Sequence, residues 1–191
     1  VNGEIRWYWE GVPDVDIAYE TQYLGGGLLS WGGGYYDGAP PELLDVDGNV
    51  LYVTGSPNAQ SHVFHHDGKV IDSGEVMLMM IEGANDGAGL YWDGFAVGLV
   101  DTTTNTDTFY WSSQTAVDAG DLPPGSGDPW HANWADYRHD PVNGDRLYVS
   151  LCNLGDVMSV DAATGEVVWK LGDGGDLTVE YPTGELVPPG K

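Results

Sequence analysis

The residues best suited to chemistry in this chain are its five histidines, His62, His65, His66, His131 and His139, four of which precede strands and lie beside Asp, Asn or Trp. In the run His65-His66-Asp67, adjacent residues of an extended strand face opposite ways, so one imidazole alone points into a shared pocket. His66 is the choice, with Asp67 or a neighbouring carboxylate fixing its tautomer. In Trp130-His131-Ala132-Asn133-Trp134, His131 and Asn133 are two apart and share a face if extended, an arrangement able to donate two hydrogen bonds to an oxyanion. Trp130 and Trp134 bracket His131 and are candidates for gripping an aromatic ring. The competing roles are structural: a histidine tying a loop to a carbonyl, an asparagine capping a turn. His139, ahead of a turn, reads as a surface-loop residue, and His62 is undecided. The spacing of His62, His66 and His131 assigns no zinc site.

The Asp-rich turns at 45–49 (DVDGN) and 101–107 (DTTTNTD) offer oxygen ligands for calcium. Neither fits the 12-residue loop with its terminal Glu, and Asx-turns between strands explain both without an ion. Asp14, Asp16 and Glu20 form a further uncommitted cluster. No cofactor is assigned, calcium being the one ion the composition leaves room for.

With 30 acidic against 6 basic residues and a formal charge of −24, the chain has no basic stripe to neutralise phosphates. Nonspecific nucleic-acid binding is excluded, and anionic membranes repel it. The acidity fits a solvated surface in a salty medium, or carboxylates that hold calcium. No run of 18 apolar residues predicts membrane insertion. A start at Val1, directly in a glycine turn, reads as a processed or excised piece, for which an extracellular or periplasmic, high-salt setting is the expectation. Cys152 is the sole cysteine, so no internal disulfide forms.

The elements that must position these residues are short strands. Glycine (29) and proline (11) with 8 Trp and 11 Tyr fit many turns and large aromatics between sheets. No segment keeps a 3.6 period for three turns. Strands are read at 3–9, at 28–31, and on both sides of the Asp47-Gly48 turn in 41–53. Further strands follow at 74–82, 94–100, 107–111, 145–151 and within 157–170. Closing tryptophans at Trp7, Trp111 and Trp169 mark a repeat. One domain over 1–191 is expected: an all-β propeller of four-stranded antiparallel blades, with about 3.5–4 blades in this chain. An incomplete ring would need additional blades or a second copy to cover its ends.

Two segments carry a resemblance. FHHDGKVIDSGEVMLMMIE at 64–82 is similar to the HHD, turn and apolar strand of the bacterial and archaeal arylsulfotransferases. PWHANWADY at 129–137 with TGEVVWKLG at 164–172 is similar to that family's WxHxN segment and its closing turn and strand. PELLDVDGNVLY at 41–52 resembles the opening of its blades. The resemblance implies a six-bladed propeller enzyme moving a sulfuryl group from an aryl sulfate to a phenol through a covalent sulfohistidine. His66 and His131 would then hold the sulfate oxygens with Asn133 beside them, while His65, Trp130 and Trp134 would line the substrate pocket. Its small-molecule partners would be an aromatic sulfate and a phenol. Where the family has an arginine after the WxHxN segment this chain has Cys152, and no histidine follows His139, although the family's nucleophile lies in a later blade. The alternative is a noncatalytic propeller module binding a ligand or a protein partner.

Overall fold

A computed structural model of the chain describes residues 63–172 continuously, together with 21–25, 28–31, 42–45, 49–53, 55, 175–177 and 182–183. The strand expected at 3–9, His62 and the Asp14–Glu20 cluster lie outside the described residues. Twelve strands are described: β1 (Thr21–Gly25), β2 (Leu28–Trp31), β3 (Glu42–Asp45), β4 (Val50–Val53), β5 (Val63–Val70), β6 (Val76–Asn85), β7 (Tyr91–Asp101), β8 (Thr106–Ser112), β9 (Ala132–Arg138), β10 (Arg146–Leu151), β11 (Asp156–Asp161) and β12 (Val167–Leu171). They form three separate four-stranded antiparallel sheets, ordered β1-β2-β3-β4, β5-β6-β7-β8 and β9-β10-β11-β12. Each is a meander, as expected when short turns join consecutive strands.

The expected propeller is overturned. Among the described residues every sheet is its own hydrogen-bonded unit. The β5–β8 and β9–β12 sheets approach each other mainly where β5 and β6 face β9. What is found is separate antiparallel sheets, not blades arranged about an axis.

The apolar pattern explains how the sheets stack. In β6 the run Val76-Met77-Leu78-Met79-Met80 is buried on both faces. Met77 and Met79 join Phe95, Val97 and Leu99 in the main core, where they meet Leu147, Val149 and Met158 of the next sheet. Val76, Leu78 and Met80 point the other way and pack with Ala96 and Val100. A strand covered on both sides reads as a continuous apolar run. In β10, Leu147, Val149 and Leu151 alternate with partly exposed residues, the pattern of a sheet covered on one face. Trp111 of β8 crosses between sheets, donating its indole N–H to the carbonyl of Gly165 at 3.0 Å.

A short helix, α1 (Ser113–Ala119), follows β8. Ser112 caps it by accepting from the Gln114 N–H at 3.1 Å, and Gly120, with φ of 84°, closes it by donating to Ala116 and Val117 carbonyls. Ser113 accepts the Phe95 N–H, which fastens α1 to β7. Among the described residues no helix is long and apolar enough to cross a membrane.

Candidate metal centre

Two histidines of β5 and one from the loop before β9 come together. The ring centroids of His65 and His66 are 4.1 Å apart, those of His66 and His131 5.1 Å, and those of His65 and His131 5.9 Å. One potential ligand atom from each lies within 4.8 Å of the others. His65 is buried, while His66 and His131 are half-buried.

Local backbone irregularity makes this possible. Phe64 pairs with Met80 and Gly68 with Leu78, leaving His65, His66 and Asp67 opposite Met79 alone. The surplus is a β-bulge, and His66 sits in it with φ of +56°. A bulge breaks the two-residue alternation of a strand. Both neighbouring imidazoles therefore reach the same site, where strict alternation would have turned His65 away.

On the other side, His131 has φ of +45° and stands just before β9. The side chain of Asp128 folds back on it twice: Oδ1 accepts the His131 backbone N–H at 2.9 Å, and Oδ2 lies 2.5 Å from the His131 Nδ1. The neighbouring β10–β11 turn holds this loop in place. Cys152 and Asn153 donate backbone N–H groups to the carbonyls of His131 and Trp130, each at 3.1 Å, and the Asn153 amide reaches the Asp128 carbonyl at 3.0 Å.

Asp67 joins the two sides. Its carboxylate is fully buried and accepts the Ala135 N–H of β9 at 3.0 Å. Lys69 sits 3.4 Å from the same oxygen and donates to the Ala135 carbonyl at 2.5 Å. The ammonium also lies 3.5 Å from Asp136 and 4.9 Å from the centre of the Trp134 ring. The bulge is thereby fastened to the strand that begins next to His131.

Burial lowers the His65 pKa to about 4, helped by repulsion from His66 and His131 and opposed by Asp128. His66 is lowered too, by burial and then by His131, against Asp128 and Asp67. Both are neutral imidazoles at neutral pH, the form that ligates metals.

The remaining candidate residues divide. Asn133 is half-buried at a register shift: Ser150 pairs with Trp134 and Leu151 with Ala132, so Asn133 is an extra residue. Because His131 is not in extended conformation, the shared-face rule linking it to Asn133 does not apply. Trp130 is fully buried, packs against Trp92 and Phe95, and donates its N–H to the Pro123 carbonyl, a core role. Trp134 is exposed on β9 under Lys69. His139 pairs with Asp145 at 2.9 Å on the surface. In the 101–107 turn, Asp101 accepts the Thr103 and Thr104 N–H groups, and Asp86, Asp140 and Asp161 serve their own loops in the same manner.

Asp128 and the participation of His65 were not singled out by spacing. A signal for Asp128 exists, because an Asp three residues before a loop residue is placed to accept its N–H. The bulge has no comparable mark beyond the Gly at position 68.

No family model matches the chain and no curated protein matches it. The likeness to arylsulfotransferases rests on short motifs alone. With neither a family match nor a propeller, that assignment falls, and with it the sulfuryl-transfer activity, the sulfohistidine and the transferase reading of His66, His131 and Asn133.

Proposed function

We propose that the protein binds a divalent transition metal, zinc in the first instance, through His65, His66 and His131. The observation that carries this reading is the mutual approach of three imidazole ligand atoms to within 4.8 Å. Three ring nitrogens about 2.0–2.1 Å from a common zinc would stand some 3.3 Å apart in a tetrahedral arrangement, within reach of small side-chain rotations. Asp128 supports the reading, since a carboxylate on the Nδ1 of His131 leaves Nε2 to ligate, the outer-shell pattern of metal-bound histidine. Strain supports it as well: two of the three histidines hold a left-handed backbone that non-glycine residues avoid at a cost of about 1–3 kcal/mol each.

Calorimetric titration of the metal-free protein with Zn²⁺ tests this. About one equivalent should bind with an affinity that excess Mg²⁺ and Ca²⁺ leave intact, because imidazole prefers transition metals to hard cations. The acidic surface would bind all three ions weakly. Zn²⁺ binding unchanged in a protein with all three histidines replaced by alanine would assign the ion to that surface and end the reading.

A further inference from the structure

We infer that the metal acts as a clasp between two sheets, so that metal supply sets how firmly the β5–β8 and β9–β12 sheets stay docked. The inference rests on the metal-binding reading above and deepens it by naming what the bound ion regulates.

Placement of the ligands is the first argument. His65 and His66 belong to β5, whereas His131 stands in the loop before β9, 65 positions after His66. Their ligand atoms lie within 4.8 Å of one another in the docked arrangement. An ion shared by these imidazoles is bonded to both sheets at once.

The second argument is where the clasp falls. Along β9 the neighbouring sheet already has two polar ties: Asp67 accepts the Ala135 N–H, and Lys69 donates to the Ala135 carbonyl beside Asp136. The ion adds a grip at residue 131, ahead of both, where the strand begins. At the opposite edges of the two sheets, Trp111 of β8 donates to the Gly165 carbonyl just before β12. Between these edges the sheets share one apolar core, with Met77 and Val97 on one side and Leu147 and Val149 on the other. The clasp thus acts on one docked unit, at the edge where β5 meets β9.

The third argument is thermodynamic. A ligand shifts an equilibrium only by its difference in affinity for the two states. With the sheets undocked, the adjacent His65 and His66 still offer two imidazoles, but His131 no longer stands beside them. Docking supplies the third ligand, and that ligand is the source of the coupling. It also closes a long span of chain, whose freedom the undocked state retains.

Hydrogen exchange of the full chain, metal-free and with free Zn²⁺ about a hundredfold above its Kd, reads this coupling. Amides at the centre of β10, which carries none of the three histidines, exchange through openings that take its sheet apart. Zinc should slow them about ten- to a hundredfold, in step with the amides of β6. Amides of the exposed turn at 86–90 exchange by local fraying and should keep their rates. His131→Asn removes the third imidazole with a residue that accepts the left-handed backbone. At equal zinc occupancy, this variant should lose the slowing in β10. Zinc bound by the wild-type protein with β10 unaffected would leave the metal reading standing and overturn the clasp. Equal slowing of β10 in the variant would overturn the clasp as well. Absence of zinc binding to the wild-type protein would overturn the metal reading and the clasp together. The wild-type comparison decides by itself where the variant does not fold.

Discussion

The β5 bulge and the loop before β9 solve one problem in two ways. Each presents a histidine in left-handed conformation, and each is braced by an aspartate. In the bulge the brace is Asp67, fully buried, and it reaches away from its own histidines to the backbone of the neighbouring sheet. In the loop the brace is Asp128, half-exposed, and it holds the imidazole itself. The first carboxylate belongs to the architecture and the second to the ligand. Removing them should therefore cost different things.

The largest effect is expected at Asp67. Asp67→Ala leaves Lys69 and the Ala135 N–H without their carboxylate in a mostly dry setting, and should lower unfolding free energy by about 3 kcal/mol. Urea denaturation of the metal-free protein measures it, and a loss below about 1 kcal/mol would mean that Asp67 does not join the sheets. Asp128→Ala should reverse the balance. Zinc affinity should fall about 10–100-fold while the urea midpoint barely moves. Equal losses of stability in the two variants would erase the distinction.

Acid offers a third comparison, since His65 is on the buried side and His131 on the open one. With a folded pKa near 4 against 6.5 unfolded, His65 takes up its proton more readily in the unfolded chain. Stability of the metal-free protein should thus be fully present above about pH 6.5 and decline as pH falls towards 4, with His66 adding in the same direction. His65→Gln should flatten that limb, and an unchanged slope would contradict the burial of His65. The smallest effect is expected from His66→Gly. A glycine accepts the positive φ freely, so the metal-free protein should gain about 1 kcal/mol while zinc binding weakens. A loss of stability would show that the imidazole, not the strain, dominates at that position.

How much of this was legible in the sequence varies with the range of the information. The strands β3 and β4, the alternation of Leu147, Val149 and Leu151, and the apolar run of β6 follow local patterns that read directly as strands. His66 and His131, 65 positions apart, were set at one pocket only by the overturned resemblance; their rings lie 5.1 Å apart. What alternation could not supply was its own exception. The bulge that brings in His65 depends on how β5 registers against β6, which no pattern within 63–70 determines. Helix α1 escaped because seven residues are too few for a helical period, and its caps, Ser112 and Gly120, were the only marks it left. Ring closure failed for the opposite reason. It is a property of how many sheets assemble and how they are disposed, and recurring Trp-ended strands specify neither. The same recurring ending gave the family resemblance its reach and made it unreliable.

The interior of β6 has a chemical consequence. Met77, Met79 and Met80 are all at most 2% exposed, and Met158 is fully buried in the same core as Met77 and Met79. Peroxide reaches such thioethers only when the sheets part, so sulfoxide formation becomes a clock for global opening. Because conversion to the polar sulfoxide prevents these side chains from repacking, every opening caught by the oxidant would be permanent until enzymatic repair.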